Sequence, residues 1–402
     1  MRVSTAQMFL QSTKHMTTNE SKLNDQSAYL ATGKKVLTAK DNGVQYGTLI
    51  GYKDELQSIE LYRRNITQAT NRNSLSEVQF SSAQNVLNQI KTTFIQANNG
   101  AMSDDDRDAL SEQLMQNLEQ MLDIANAKDE TGGYVFSGYQ IDVKPFELQP
   151  DNSVNYMGDN GVRELKISRS VAVPLNQPGD DAFEKVENRL GDFSATYNTN
   201  TSGASVNKAV ISDRGVYVDN APYTLDFTDV DTDGNLELTI TDGVATTVTF
   251  DPYVPGQTYG FPGMEVSLEG IPNVGDQVTL NPEPNISIFQ TIKEAIDWVN
   301  VKSPANGTEK HKTEYGHILS QINASLNHIS TRQGDAGINL QLLQTQSTYH
   351  QDNELLMEQG RSSIEDLDYA AAVTEFEQAK VALQAAQQTY VKVQNLSLFN
   401  FI

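Results

Sequence analysis

Residues 369–393 read YAAAVTEFEQAKVALQAAQQTYVKV, and their spacing decides the fold. Apolar side chains fall on a strict three-four alternation: Tyr369, Ala372, Phe376, Ala379, Leu383, Ala386, Tyr390 and Val393. These are the a and d places of a coiled-coil seam. Between them stand Glu375, Glu377, Gln378, Lys380, Gln384, Gln387, Gln388 and Lys392, with neither proline nor glycine to interrupt the helix. Burying Tyr369, Phe376, Leu383 and Tyr390 is worth about 1.5–3 kcal/mol each, whereas an isolated helix of this length is only marginally populated in water. The seam therefore implies a partner helix.

The opposite end of the chain supplies a candidate. Phe9, Met16, Leu23, Leu30 and Leu37 recur at intervals of seven, but the places three residues later hold Ser12, Asn19, Gln26 and Gly33. This is half a seam, weaker alone than the first. Residues 1–45 carry six Lys or Arg against three Asp or Glu, and residues 360–402 carry three against five, so the charges favour pairing of the ends. The competing possibility is that each end docks on the chain's own globular body. The thin stripes, rich in Gln, Asn, Ser and Thr around them, argue instead for ends that stay incompletely buried until neighbouring copies or other components cover them.

A chain of 402 residues accommodates two or three domains with cores of their own. The net charge of −23 is concentrated in residues 141–284, which hold 23 acidic and 8 basic side chains. Phosphate recognition needs a basic surface, so nucleic acid is not an expected partner. Anionic lipid would repel the same segment, so a membrane surface is not expected either. With no cysteine, disulfides and thiolate chemistry are excluded. The first residues show no continuous apolar stretch with a small-residue cleavage pattern, and no segment reaches membrane-spanning length, signals that alone read as cytoplasmic.

After Gly33, with Lys34 and Lys35 as a helix stop, a loop through Asn42-Gly43 leads into a helix marked by Leu49, Leu56, Ile59, Ile66, Val86, Ile90 and Phe94. Ser103 followed by Asp104, Asp105 and Asp106 starts the next, and the two are expected to form an antiparallel hairpin. At Thr131-Gly132-Gly133 the period changes from 3.6 to 2. Residues 134–138, 162–173, 216–218, 223–227, 236–241, 246–250, 266–268 and 278–280 read as strands, and 182–198 as helical or irregular. Helix returns with Ile288, Ile292 and Val299 and again over about 308–359. The fold class is α+β multidomain: long helices and a coiled coil built from both termini, with an inserted all-β module. The domains are 1–45 plus 360–402, 46–140 plus 285–359, and the acidic insert 141–284.

Few residues point to chemistry. Asp229-Val230-Asp231-Thr232-Asp233-Gly234 matches the first half of a calcium loop, but Ile240 stands where the bidentate Glu belongs, so it reads as an acidic hairpin turn. His15, His311, His317, His328 and His350 have no metal-site spacing and read as solvated helix-face residues. Gly132-Gly133-Tyr134-Val135-Phe136-Ser137-Gly138 lacks the phosphate-cradle pattern and reads as a helix-to-strand corner. No catalytic triad or cofactor motif is found, and no reaction is expected.

Leu30-Ala31-Thr32-Gly33-Lys34-Lys35-Val36, followed by Ala39-Lys40-Asp41-Asn42-Gly43, resembles the amino-terminal signature of flagellins and their relatives. Ile364-Glu365-Asp366-Leu367-Asp368-Tyr369-Ala370 resembles the matching carboxy-terminal signature. Within that superfamily the opening Met1-Arg2-Val3-Ser4-Thr5-Ala6-Gln7-Met8-Phe9, the Tyr134–Tyr139 corner and the ending Leu396–Ile402 look most like the hook–filament junction (FlgL) family. Members usually carry a proline in the loop after the first helix; Asp41-Asn42-Gly43-Val44 has none. The likeness covers residues 1 to about 140 and 285–402, not the insert. It implies a non-enzymatic adaptor, exported through the growing flagellum by its type III apparatus without a cleavable signal peptide, with an export chaperone on the C-terminal helix. It implies a homo-oligomeric ring that joins the other hook-associated protein to flagellin. The assembly seam would be Phe9, Met16, Leu23, Leu30, Tyr369, Ala372, Phe376, Ala379, Leu383, Ala386, Tyr390 and Val393, in helices that order on assembly. The alternative is a flagellin that forms the filament itself.

Overall fold

The computed structural model describes residues 2–219, 222–229, 234–244, 246–302 and 308–399. Six α-helices lie among them: α1 (Arg2–Thr32), α2 (Gly43–Ala97), α3 (Asp104–Ala125), α4 (Ile288–Val299), α5 (Glu309–Glu365) and α6 (Tyr369–Phe399). The chain divides into two compact units, Met1–Ile66 with Thr345–Ile402, and Thr67–Gln344.

In the first unit α1 and α6 pack antiparallel. The Phe9 and Tyr390 rings are 5.1 Å apart, Asn19 Nδ2 donates to the Ala382 carbonyl at 3.5 Å, and Gln26 Nε2 donates to Glu375 Oε2 at 2.9 Å. One number rises as the other falls, which fixes the direction. Asn19 and Gln26, two polar places of the α1 stripe, thus have partners on α6. Elsewhere in this unit Arg63 pairs with Glu354 at 2.6 Å, and the Tyr62 ring stacks on buried His350.

The second unit has two cores. One gathers Phe80, Leu87, Ile90 and Phe94 of α2, Leu114, Leu118 and Met121 of α3, Ile288, Phe289 and Ile292 of α4, and Ile322 and Ile329 of α5. The predicted Ser103 cap is a full capping box: Asp106 N–H bonds the Ser103 hydroxyl and Ser103 N–H bonds the Asp106 carboxylate. Buried Arg107 closes the open carbonyls of two helix ends, donating to Ala97 O at 3.1 Å, Val299 O at 3.0 Å and Trp298 O at 3.1 Å. Its guanidinium lies 5.0 Å from the centre of the Trp298 ring. His311 stacks on the same indole, centroids 4.0 Å apart. Burial, and then the Arg107 cation, push the His311 pKa down to about 4.

The Gly-rich corner is an anchor rather than a strand. Asp129 Oδ1 accepts from Thr131 N at 2.7 Å and Gly133 N at 3.2 Å, and Asp159 accepts from Tyr139 N at 2.9 Å and Gln140 N at 3.1 Å. The turn so held drives Phe136 into the core, 5.5 Å from the Phe80 ring and 5.2 Å from Phe183.

The strands are β1 (Phe146–Leu148), β2 (Val154–Tyr156), β3 (Glu164–Lys166), β4 (Ala172–Pro174), β5 (Val186–Glu187), β6 (Phe193–Thr199), β7 (Ser205–Ile211), β8 (Tyr223–Thr228), β9 (Glu237–Thr241), β10 (Thr247–Phe250), β11 (Thr258–Phe261), β12 (Met264–Glu269), β13 (Gln277–Pro282) and β14 (Asn285–Ile286). A five-stranded sheet, order β10-β9-β8-β13-β6, and a three-stranded sheet, β11-β12-β7, enclose the second core. Tyr223, Leu225 and Phe227 point inward while Thr224, Asp226 and Thr228 alternate outward.

The structure departs from the sequence expectations at several points. Residues 162–173 form the β3–β4 hairpin rather than one strand, because Ser168 turns the chain by accepting from Val171 N at 3.0 Å. Residues 216–218 form no strand. The stretch 182–198 is a single π turn, Asp180–Glu184, followed by β5 and most of β6. The sequence of β6 alternates only weakly, with Ala195 between Phe193 and Tyr197. Of the five histidines only His15 is exposed. His311 and His350 are buried, His317 Nε2 lies 2.6 Å from Tyr197 Oη, and His328 Nε2 lies 2.9 Å from the Asp181 carbonyl. The flat rings fill packed positions on α5, and those of His317 and His328 each bring one edge nitrogen to a polar atom there.

Phe136→Ala is expected to lower the stability of the second unit by about 3–5 kcal/mol. Trp298 is the protein's one tryptophan and lies in the same core, so its fluorescence in urea reports that unit. A loss below about 1 kcal/mol would mean that the corner does not anchor the core.

Candidate functional site

The two signature segments meet. Gly33, at φ +68°, ends α1, its N–H donating to Tyr29 O at 2.8 Å. A β-carbon there would stand 2.7 Å from Tyr369 Oη, so the residue before the clasp has to be small as well as left-handed. Beyond it the backbone pairs with the link between α5 and α6: Lys35 N donates to Glu365 O at 2.7 Å and Leu367 N to Gly33 O at 3.1 Å, with Lys34 and Asp366 bridged antiparallel.

At the centre of this clasp is Glu365, whose side chain is 5% exposed and lies 2.7 Å from Lys34 Nζ and 2.8 Å from Lys53 Nζ. A carboxylate withdrawn from water is costly unless cations and hydrogen bonds replace the lost hydration. Burial raises its pKa, but the bonds from Lys34 and Lys53 outweigh that, and it sits below the ordinary glutamate value. The loop that follows is drawn tight by Asp41. Its carboxylate accepts from Leu37 N at 3.0 Å, Thr38 N at 2.8 Å and Tyr29 Oη at 2.9 Å. These bonds hold a loop in which proline is absent. Asn42 then caps α2 through Gln45 N at 3.1 Å, and Asp368 caps α6 through Ala370 N at 3.0 Å and Ala371 N at 3.2 Å.

From this clasp the predicted seam residues run out along α1 and α6. Met16, Leu23, Leu30, Phe376, Ala379, Leu383, Ala386 and Tyr390 are half-buried, and Ala372 is buried. Phe9 and Tyr369 remain largely exposed, at 40% and 57%. The Val393 side chain lies outside the described residues, as do Asp231 and Asp233 of the acidic turn. Sequence reading missed Glu365 and Asp41 as organisers; the signal was their place within the two signatures. It also missed a second apolar row on the pair's outer face, where Leu10 is 70% and Val381 60% exposed.

Because the folded pKa of Glu365 is depressed, the clasp's stabilisation is present above the ordinary value of 4.5 and is lost as pH falls below it. Amide-exchange protection of Lys35 and Leu367, corrected for intrinsic rates, is expected to fall on acidification in the native protein. Glu365→Gln should show weak protection already at neutral pH and lose this titration. Unchanged protection in the variant would exclude the carboxylate as the anchor.

Residues 3–141 match the family model for the bacterial flagellin N-terminal helical region, and residues 319–402 that for the C-terminal helical region. The chain is 21% identical to flagellar hook-associated protein 3 of Escherichia coli K12, over 99% of both chains. It is 30% identical to the crystal structure of flagellar hook associated protein-3 from Legionella pneumophila, with a TM-score of 0.67 over 78% of this chain and 98% of that one. FlgL from Xanthomonas campestris shares the fold at 22% identity, with a TM-score of 0.63, 78% of this chain and all of that one being covered. The signatures that clasp around Glu365 thus fall within the two matched regions, and the chain belongs to the FlgL-type hook-associated proteins of the flagellin superfamily.

Proposed function

We propose that the protein is a non-enzymatic structural adaptor of the bacterial flagellum, set at the junction of hook and filament. One face of its terminal layer meets the other hook-associated protein and the other meets flagellin. The observation that carries this reading is the apolar row left on the α1–α6 pair. Two helices bury one seam between them and leave their outer faces in water. Here that face carries Leu10, Val373, Val381 and Val391, and a shallow groove lined by Val373, Val381, Ala382 and Ala385 runs along α6. A soluble protein seldom leaves such a row uncovered without a partner for it.

In this reading residues 1–45 and 360–402 form the layer that closes on assembly, 46–140 with 285–359 form a second helical layer, and 141–284 faces outward. Copies associate as a ring through the residues from Phe9 to Leu30 and from Tyr369 to Val393. The chain reaches its place by the flagellar export route without a cleavable signal peptide, a chaperone covering the C-terminal helix beforehand. The hook-associated relatives and the nature of the exposed row support this.

Leu383→Asp is expected to abolish the protein's incorporation into flagella while leaving residues 141–284 folded. Antibody labelling of the insert on isolated flagella, with circular dichroism of the purified variant, reads both. Normal filaments on cells carrying only the variant would overturn the proposal, and so would long filaments grown from purified native protein alone, which would make it a flagellin.

A further inference from the structure

The sequence holds four Asn-Gly pairs, at 42–43, 99–100, 160–161 and 306–307. Such a pair is chemically reactive because glycine has no β-carbon to shield its nitrogen from the preceding side-chain amide. In a folded protein the reaction needs more: an activated side-chain carbonyl, a free backbone N–H and room for the ring to close. The last pair lies outside the described residues, and the fold treats the other three differently.

Gly161 is tied down. Its N–H donates to Asp159 Oδ1 at 2.7 Å, and the Tyr139 ring packs directly on its α-carbon. Gly43 is the first residue of α2, and Asn42 Oδ1 is turned away to cap Gln45 N at 3.1 Å. Asn99 has neither restraint. It is exposed in the loop between α2 and α3, with open space around the Gly100 α-carbon. Among the described residues the Gly100 N–H makes no backbone hydrogen bond. Ala101 N donates to Asn99 Oδ1 at 3.1 Å, which bends the side chain across its own following peptide bond. The same donor polarises the carbonyl and would stabilise the oxyanion formed on attack.

We propose that Asn99 is a site of spontaneous deamidation. The Gly100 nitrogen attacks Asn99 Cγ, a C–N bond closes the succinimide ring, and the side-chain nitrogen leaves as ammonia with the proton given up by Gly100. Water then opens the ring at either carbonyl, giving aspartate or isoaspartate. Either product sets a carboxylate beyond the C-terminus of α2, where the helix dipole disfavours negative charge. It lies two residues from the Ala97 carbonyl that Arg107 caps, and isoaspartate also lengthens the backbone at that corner.

The test is peptide mapping by mass spectrometry of the full folded chain kept at mildly alkaline pH, beside a sample held in urea. In urea the pairs at 42, 99 and 160 should convert at similar rates. In the folded sample the peptide containing Asn99 should gain acid and isoaspartate first. Gly100→Ala, whose β-carbon meets no neighbour, should fold normally and slow conversion at Asn99 by about tenfold or more. Asn42 or Asn160 converting first or equally, Asn99 remaining intact when the urea sample has converted, or an unslowed Gly100→Ala would each overturn the assignment.

Discussion

The arrangement of the first unit depends on holding residues 33–35 against residues 365–367. Two backbone hydrogen bonds and a buried carboxylate between two lysines join points more than 300 residues apart in sequence. Closing a loop of that length costs entropy that grows only slowly with length, so the cost falls once, at the clasp. With Lys34 and Lys53 committed to Glu365, the register between α1 and α6 is no longer free. Gly33 beside Tyr369 then sets Gln26 against Glu375, Asn19 against Ala382 and Phe9 against Tyr390. A slip of one residue would take Asn19 and Gln26 off their acceptors and would leave Glu365 with unmatched cations.

Carboxylates do similar work through the second unit. Asp129 and Asp159 hold the corner that seats Phe136. Asp276, buried in the β module, accepts from Thr201 N at 2.8 Å, Ser202 Oγ at 2.7 Å and Asn273 N at 3.0 Å. Burial raises its pKa but these donors win, so it stays ionised below the usual carboxylate range. Asp242 accepts from Val244 N and Thr246 N in the β9–β10 turn. A chain without cysteine has only packing and such charge-assisted turns to fix its loops, and aspartate is the shortest side chain that can bond the backbone while staying charged.

How much of this is legible beforehand depends on whether a residue's role is local. The stripe on α6 and the N-cap at Ser103 follow from spacing along one helix, and the sequence is enough to find them. The Asp-rich turns are visible as turns, but which N–H groups each carboxylate collects depends on chain brought from elsewhere, as with Asp159 serving Tyr139. Strands β6 and β7 are hidden because their inward faces mix Ala195 and Ala209 with larger residues, and the alternation that marks Tyr223–Phe227 is diluted. The histidines mislead for the opposite reason. Their spacing is that of a helix surface, yet α5 is covered by neighbours at His311 and His328. The likeness to a family finds both signatures, but not that Glu365 of one is buried against Lys34 of the other.

The seam on α1 is only half apolar. Leucines at 12, 19 and 26 would give α1 and α6 a continuous apolar stripe and a stable private hairpin. Asn19 and Gln26 instead give hydrogen bonds whose net worth is near 1 kcal/mol each, against about 1.5–3 for a buried leucine, and Ser12 adds little apolar surface. The pair is therefore held mainly by its clasped end, where Glu365 sits, and only weakly toward Phe9 and Tyr390. In the proposed role that gradient is useful, because exposed Leu10 and Val391 stand beside the weakly held Phe9–Tyr390 end. A neighbouring copy that covers them adds apolar burial where the chain has left most of it undone. The same sequence then provides one strong contact to keep a single molecule in register and a series of weak ones that further copies can complete.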